Sequence, residues 1–123
     1  MNQADRIFFN LTNHRFEKWT PLQLDAARRY GEIEDIPFPN VSPLSSSDDI
    51  ARLADVYVAM IQSYPATQKT VHVMGELTFS YAVVSRLKAL KIKCVASTTQ
   101  RSVIETDDGK IVHDFQFVQF REY

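Results

Sequence analysis

The sequence predicts an α/β domain of three layers, a mostly parallel sheet between helices. Three observations carry this. Short apolar, β-branched runs alternate with helical stripes in the order β-α-β-α-β-α-β. The run at residues 7–11 is apolar almost throughout, as strands covered on both faces are. After the last run the chain carries two strand-like arms around Asp107-Asp108-Gly109, a hairpin signature. Strands separated by helices pair in parallel through right-handed crossovers, which puts helices on the sheet faces.

The elements follow in order. Ile7-Phe8-Phe9-Asn10-Leu11 is the first strand, and a polar loop with Phe16 and Trp19 follows. Thr20 caps a helix with Pro21 at its first position and Gln23 placed to complete a capping box; Gly31 ends it. Residues 32–38 form a second strand whose acids suit an edge. Pro37, Pro39 and Pro43 make a loop, and Ser45-Ser46-Ser47 supply the next cap. Asp48 and Asp49 then favour a helix start, and Ile50, Leu53, Ala54, Tyr57, Val58 and Ile61 make its apolar stripe. Tyr64-Pro65 stops it.

Val71-His72-Val73-Met74 is the third strand, and Gly75 serves a sharp turn into a helix capped by Thr78 or Ser80. That helix is expected to bury Tyr81, Val84, Leu87 and Leu90 and to end among Lys88, Lys91 and Lys93. Residues 92–97 are the fourth strand, and residues 97–101 are read as a loop beyond it. The hairpin arms are residues 102–106 and 110–120, the second running to the sheet edge.

A length of 123 residues suits one domain, residues 1–123, with its own core. The formal net charge of −1 gives no global attraction for long nucleic acid. Cys94 stands alone in an apolar run, so no disulfide forms within one chain; it reads as a small buried hydrophobe. With no run of about 18 apolar residues, no membrane span is expected. The first six residues lack the basic and apolar regions of a signal peptide, and a cytoplasmic location is expected.

Ligands in such sheets bind beyond the carboxyl ends of the strands, where strand order reverses. Those ends are Thr12-Asn13-His14, Gly75-Glu76-Leu77-Thr78 and Ser97-Thr98-Thr99-Gln100-Arg101. All three are read as strand-end junctions that leave helix-start N–H groups free for phosphate. With only three glycines, the chain has neither G-x-G-x-x-G nor G-x-x-x-x-G-K-[ST], so no dinucleotide cofactor is expected. No G-x-S-x-G elbow is present. Three histidines, one cysteine and scattered acids give no metal-ligand spacing, and no metal is expected.

What remains is a donor-rich rim. Asn13 offers an amide, Thr12, Thr78, Ser97, Thr98 and Thr99 offer hydroxyls, and Arg101 offers a planar cation. That inventory suits phosphate oxygens or nucleobase edges, although Ser and Thr runs also cap turns. His14 is the one histidine on the rim. It is either a general acid or base or a shaper of its loop. Glu76 either contacts a ribose hydroxyl or faces water at a helix start. Trp19 and Phe16 either stack on a base or cover the core. His72 and His113 are read as structural or exposed.

Three features together resemble the small CRISPR-associated Rossmann-fold proteins of type III systems, the CARF-like and ring-nuclease families. They are Phe9-Asn10-Leu11-Thr12-Asn13-His14 with the Thr20 to Gln23 helix start, Met74-Gly75-Glu76-x-Thr78, and Ser97-Thr98-Thr99-x-Arg101. The resemblance implies a Rossmann-like, CARF-like homodimer that binds cyclic oligoadenylate, cyclic tetra-adenylate above all, across its two-fold axis. It implies metal-independent cleavage, in which a ribose 2′-hydroxyl attacks the adjacent phosphorus and leaves a 2′,3′-cyclic phosphate. On that resemblance Arg101 and helix-start N–H groups hold the phosphate, Thr12 and Asn13 orient the ribose, and His14 moves the proton. Some relatives only bind the ring. Without an attached effector domain, such a chain is expected to end or buffer the signal. A third expectation is an interaction subunit without a nucleotide, motivated by Phe115-Gln116-Phe117-Val118-Gln119-Phe120.

Overall fold

A computed structural model describes residues 5–123. The N-terminal reading above falls in part on residues 1–4, which lie outside that range. The elements are β1 (Arg6–Thr12), a 3₁₀ turn (Phe16–Lys18), α1 (Pro21–Arg28), β2 (Glu32–Pro37), α2 (Ser47–Ser63), β3 (Gln68–Val73), α3 (Leu77–Ala89), β4 (Lys93–Glu105) and β5 (Ile111–Glu122). They build one five-stranded sheet in the order β2-β1-β3-β4-β5. β1 pairs in parallel with β2 and β3, β3 pairs in parallel with β4, and only β4–β5 is antiparallel. The α/β class, the mostly parallel sheet and the edge position of β2 agree with the sequence.

Adjacent residues of β1 point to opposite faces. Phe9 and Leu11 enter a cluster with Ile50, Ala54, Val58 and Ile61 of α2 and Phe79, Val83 and Leu87 of α3. Phe8 faces the other way, toward Ala27 of α1, Val95, Trp19, Tyr30 and Phe120. Each such side chain fully buried contributes about 2 kcal/mol. The run is apolar on both faces because both faces carry helices. Asn10 interrupts it and is buried too.

The cap signals before α2 are realised. Ser46 Oγ accepts from Asp49 N–H at 3.1 Å, and Asp49 Oδ2 accepts from Ser46 N–H at 3.0 Å. Arg86 Nε lies 2.8 Å from Asp55 Oδ1, joining α3 to α2. On α3 the buried residues are Phe79, Ser80, Val83, Val84 and Leu87. Tyr81, expected inward, is 76% exposed. It stands two residues from both Phe79 and Val83, and two residues turn a helix by about 200°.

Three expectations are corrected. Residues 97–101 are not a loop: β4 runs unbroken to Glu105, paired along its length with β5. Thr98 and Thr99 are β-branched and fit a ladder as well as a turn. No helix follows Ser97, so the third strand-to-helix junction does not exist. Nor does α3 start with free N–H groups, because Glu76 caps it. Its carboxylate accepts from Thr78 N–H at 3.0 Å and Phe79 N–H at 2.8 Å. The Thr78 hydroxyl and then those N–H bonds hold the Glu76 carboxyl below its ordinary range. Lastly, the permissive backbone expected of Gly75 in the sharp turn is not what requires glycine there, since its φ is not positive. A Cβ there would run into the Phe38 ring, so close approach fixes the residue. A left-handed glycine occurs instead at the hairpin, where Gly109 has φ +82°.

β4 stays beside β3 only through Thr70–Lys93 to His72–Val95. Beyond that, β4 and β5 leave the sheet as a two-stranded ribbon. The register skips between Thr98/Thr99, where Gln119 and Phe117 are the partners and Val118 is the extra residue. Such a bulge bends and twists a strand pair. No helix among the described residues is long and apolar enough to cross a membrane.

Candidate functional site: a polar and aromatic cleft at the strand ends

Strand order reverses between β1 and β3, since β2 lies outside one and β4 outside the other. A crevice is expected beyond their carboxyl ends. A cleft of about 900 Å³ opens there. Thr12, Asn13 and His14 line it from the end of β1, and His72, Met74 and Gly75 line it from β3. Ser97 and Thr99 reach it from β4, and Asp114 to Phe117 from the facing arm of β5. The start of α1 closes the circle with Lys18, Trp19, Thr20, Leu22 and Gln23.

Six of the predicted rim residues therefore share one cleft: Thr12, Asn13, His14, Gly75, Ser97 and Thr99. Glu76, Thr78, Thr98 and Arg101 do not line it. Glu76 and Thr78 are spent on the cap of α3. Thr98 Oγ bonds the Gln119 backbone at the bulge. Arg101 sits out on the ribbon, with Nη2 2.8 Å from His113 Nδ1 and its guanidinium 6.0 Å from the Phe115 ring. The cation that does line the cleft is Lys18.

The floor holds a polar network that the sequence reading missed. Asn10 Nδ2 donates to the His14 carbonyl at 2.7 Å and to Asp35 Oδ1 at 2.9 Å. Asp35 Oδ1 also accepts from Phe16 N–H at 3.2 Å. Asn10 Oδ1 lies 3.0 Å from Thr12 Oγ and 3.0 Å from His72 Nδ1. Thr12 Oγ in turn accepts from His14 N–H at 3.1 Å. The strand-one loop is thus tied at its base and leaves the Asn13 and His14 side chains exposed. The sequence signal was a polar Asn10 between Phe9 and Leu11, aligned with His72 of the next strand and Asp35 of the edge strand.

His72 is 2% exposed. Burial pushes its pKa down to about 4, so it is neutral at ordinary pH. Phe8 stacks beside it at 6.0 Å, while Trp19 and Phe120 present edges at 5.7 and 5.1 Å. Cys94 lies apart in the core, its thiol pushed up to about 12 by burial, and is inert as a nucleophile. Among the described residues no group of three or more His, Cys, Asp or Glu side chains converges to hold a metal.

Chemically the cleft offers amide, hydroxyl and lysine donors, an exposed imidazole, and flat aromatic walls from Trp19, Phe115 and Phe117. It can hold a small ligand with a ring and a polar or anionic edge.

A search of the curated proteins finds no match. The family model described as "Uncharacterized protein MJ1673 family" matches residues 6–121. That span begins with β1 and ends within β5, so it takes in every residue that lines the cleft. The chain belongs to the MJ1673 family.

Proposed function

We propose that this protein is a CARF-like Rossmann domain that binds cyclic oligoadenylate in the cleft, cyclic tetra-adenylate first, and opens the ring without a metal. The observation that carries this is the convergence of the β1 and β3 ends with the middle of β4 on one cleft that mixes hydroxyl and amide donors with aromatic rings. Adenine stacks on Trp19 or Phe115, and ribose and phosphate meet Thr12, Asn13, Ser97, Thr99 and Lys18. A homodimer would present the same donors to each half of the ring. The setting is cytoplasmic, in type III CRISPR signalling.

Cleavage asks for little chemistry and much placement. The 2′-oxygen forms a bond to the adjacent phosphorus, and the bond to the 5′-oxygen breaks. A 2′,3′-cyclic phosphate and a free 5′-hydroxyl result. The 2′-hydroxyl proton leaves to a base and the 5′-oxygen gains one. His14 is the exposed imidazole at the rim and serves as that base or that acid. Lys18 takes the role of the cation beside the phosphate, since Arg101 stands away from the cleft.

The test is incubation of labelled cyclic tetra-adenylate with the protein and a chelator. Linear products with a cyclic phosphate end are expected, and His14→Ala removes them while affinity is kept. Tight binding with no product over hours leaves a messenger-sequestering module. No binding ends the proposal.

An interaction subunit without a nucleotide is a second reading. Val103, Ile104, Ile111, Val112 and Phe115 are all exposed on the ribbon. A two-stranded ribbon is marginal in water without cover. A nucleotide panel that leaves thermal stability unchanged, with self-association that Val103→Lys or Ile111→Lys abolishes, favours this reading.

A further inference from the structure

We propose that His72 reads the ligand: its Nε2 accepts a hydrogen bond from an amino group on the edge of a flat base at the floor of the cleft. The base named here, adenine, rests on the function proposed above.

The hydrogen-bond pattern fixes which nitrogen is free. Asn10 Nδ2 faces a backbone carbonyl and a carboxylate, and both can only accept. That orients the amide, so Asn10 Oδ1 faces His72 Nδ1 at 3.0 Å. An amide oxygen only accepts, hence the proton sits on Nδ1. His72 Nε2 is then a bare lone pair held in one direction by a chain that runs through Asn10 to Asp35.

That lone pair has no partner. Among the described residues two buried side-chain polar atoms lack one, His72 Nε2 and Ser80 Oγ. Of these residues only His72 lines the cleft. A buried acceptor left unmatched is costly, and such groups are rare in folded chains. A ligand donor at the floor would complete it.

The surroundings select the donor's shape. Phe8, Trp19 and Phe120 pack about the imidazole with ring centroids 5.1 to 6.0 Å away. Past rings packed this closely, a flat heteroaromatic edge would reach Nε2 more readily than a puckered sugar. An exocyclic amine would donate to Nε2. A carbonyl in the same place would set lone pair against lone pair, so the site discriminates amine from oxo bases. The depressed pKa makes His72 a weak base, suited to reading a donor rather than taking its proton. Proton movement stays with His14.

The test uses ¹⁵N-histidine spectra of the full chain with adenosine monophosphate and inosine monophosphate as probes. The bases differ at one edge, amine against oxo. In the free protein the His72 Nε2 signal is expected at the bare-acceptor position and constant from pH 6 to 8. Adenosine monophosphate moves it toward the hydrogen-bonded position, inosine monophosphate does not, and affinity differs about tenfold or more, as for a donor lost to a buried acceptor. His72→Phe lowers adenosine affinity and levels the two probes. If the fluorescence of Trp19, the chain's one tryptophan, responds to the adenosine probe while Nε2 stays still, the role of His72 is overturned and adenylate binding stands. If no signal responds to either monophosphate or to the cyclic ring, adenylate recognition fails and the His72 assignment fails with it. Both spectral outcomes are read on unsubstituted protein, so a variant that does not fold leaves the decision intact.

Discussion

The two ends of the sheet differ in what they carry. At the carboxyl ends lies the cleft with Asn13, His14, His72 and Trp19, and Lys18 is its one lysine or arginine. At the amino ends lies a second hollow of about 680 Å³, lined by Arg6, Arg29, Lys69, Lys91 and Lys93. Charge alone would put an anionic ligand at the amino ends. The hydrogen bonds argue otherwise. Arg6 Nη1 donates to the Arg29 carbonyl at 3.1 Å, Lys69 Nζ donates to the Gln62 carbonyl at 3.1 Å, and Lys93 lies over the Tyr30 ring. α1, α2 and α3 all finish there, and cations offset the partial negative charge of helix ends. Arg6, Lys69 and Lys93 are thus engaged within the fold, whereas the carboxyl-end cleft keeps exposed donors and an unmatched acceptor. Positive charge is a poor locator of a site where helices converge on their C-termini.

The largest expected effect tests the carboxyl-end network. Asn10→Leu leaves Asp35, the His14 carbonyl, Thr12 and His72 Nδ1 without their shared partner. A loss of about 3 kcal/mol is expected in denaturant unfolding, the scale of a broken buried network. A loss below about 1 kcal/mol would mean that water replaces the amide freely and the floor is not tightly built.

Next comes the pH dependence of stability. The folded pKa of His72 is lowered to about 4 from an ordinary 6.5. Between those values the unfolded chain binds a proton that the folded chain refuses. Stability is therefore full above pH 6.5 and falls as pH falls toward 4. From pH 6.5 to 5 the loss is about 2 kcal/mol for one such group. His72→Phe, which does not titrate, should flatten this part of the profile. An unchanged slope in that variant would show that His72 is not buried neutral.

A smaller effect compares the two ends as ligand sites. Lys18→Gln should weaken cyclic tetra-adenylate by about tenfold, the worth of one charged hydrogen bond. Lys93→Gln should leave affinity unchanged. The reverse result would move the ligand to the amino ends and sink the carboxyl-end reading. Arg101→Gln is expected to lower affinity less than Lys18→Gln, since Arg101 does not line the cleft and its guanidinium meets His113 and the Phe115 ring at the cleft's edge.

The same contrast explains what was legible in the sequence. Periodicity and caps are local, so the strands, α1, α2 and the hairpin turn could be read from Thr20-Pro21, Ser46-Asp49 and Asp108-Gly109. Six rim residues followed from one topological rule. Most of the errors involve partners distant in sequence, and the cap of α3 is a local exception. Whether Thr98-Thr99 is loop or strand depends on β5 lying alongside. Gly75 depends on the Phe38 ring. Whether the start of α3 is open depends on which way the Glu76 carboxylate turns. His72 read as a bland strand residue because its partners, Asn10, Asp35 and Trp19, arrive from three other elements. Arg101 does not line the cleft although its cross-strand partner Phe115 does, because its guanidinium turns to His113 on the ribbon.

The smallest expected effect lies at the amino ends and is a gain. α3 closes with Ile92 N–H bonded to the Leu87 carbonyl at 2.9 Å and Lys91 N–H bonded to the Lys88 carbonyl at 3.0 Å. That pair of bonds places Lys91 where helices most often put glycine. Lys91 has φ +64°, the one left-handed residue other than glycine among those described. Its Cβ makes that conformation costly by about 1 kcal/mol. Lys91→Gly relieves the strain and frees the unfolded chain, two terms of opposite sign. A net stabilisation of about 0.5 kcal/mol is expected in denaturant unfolding. Cyclic tetra-adenylate affinity should not change with it. If stability rises while ring affinity falls, Lys91 is strained in order to hold an anion, and the amino-end hollow is a binding site rather than a set of helix caps.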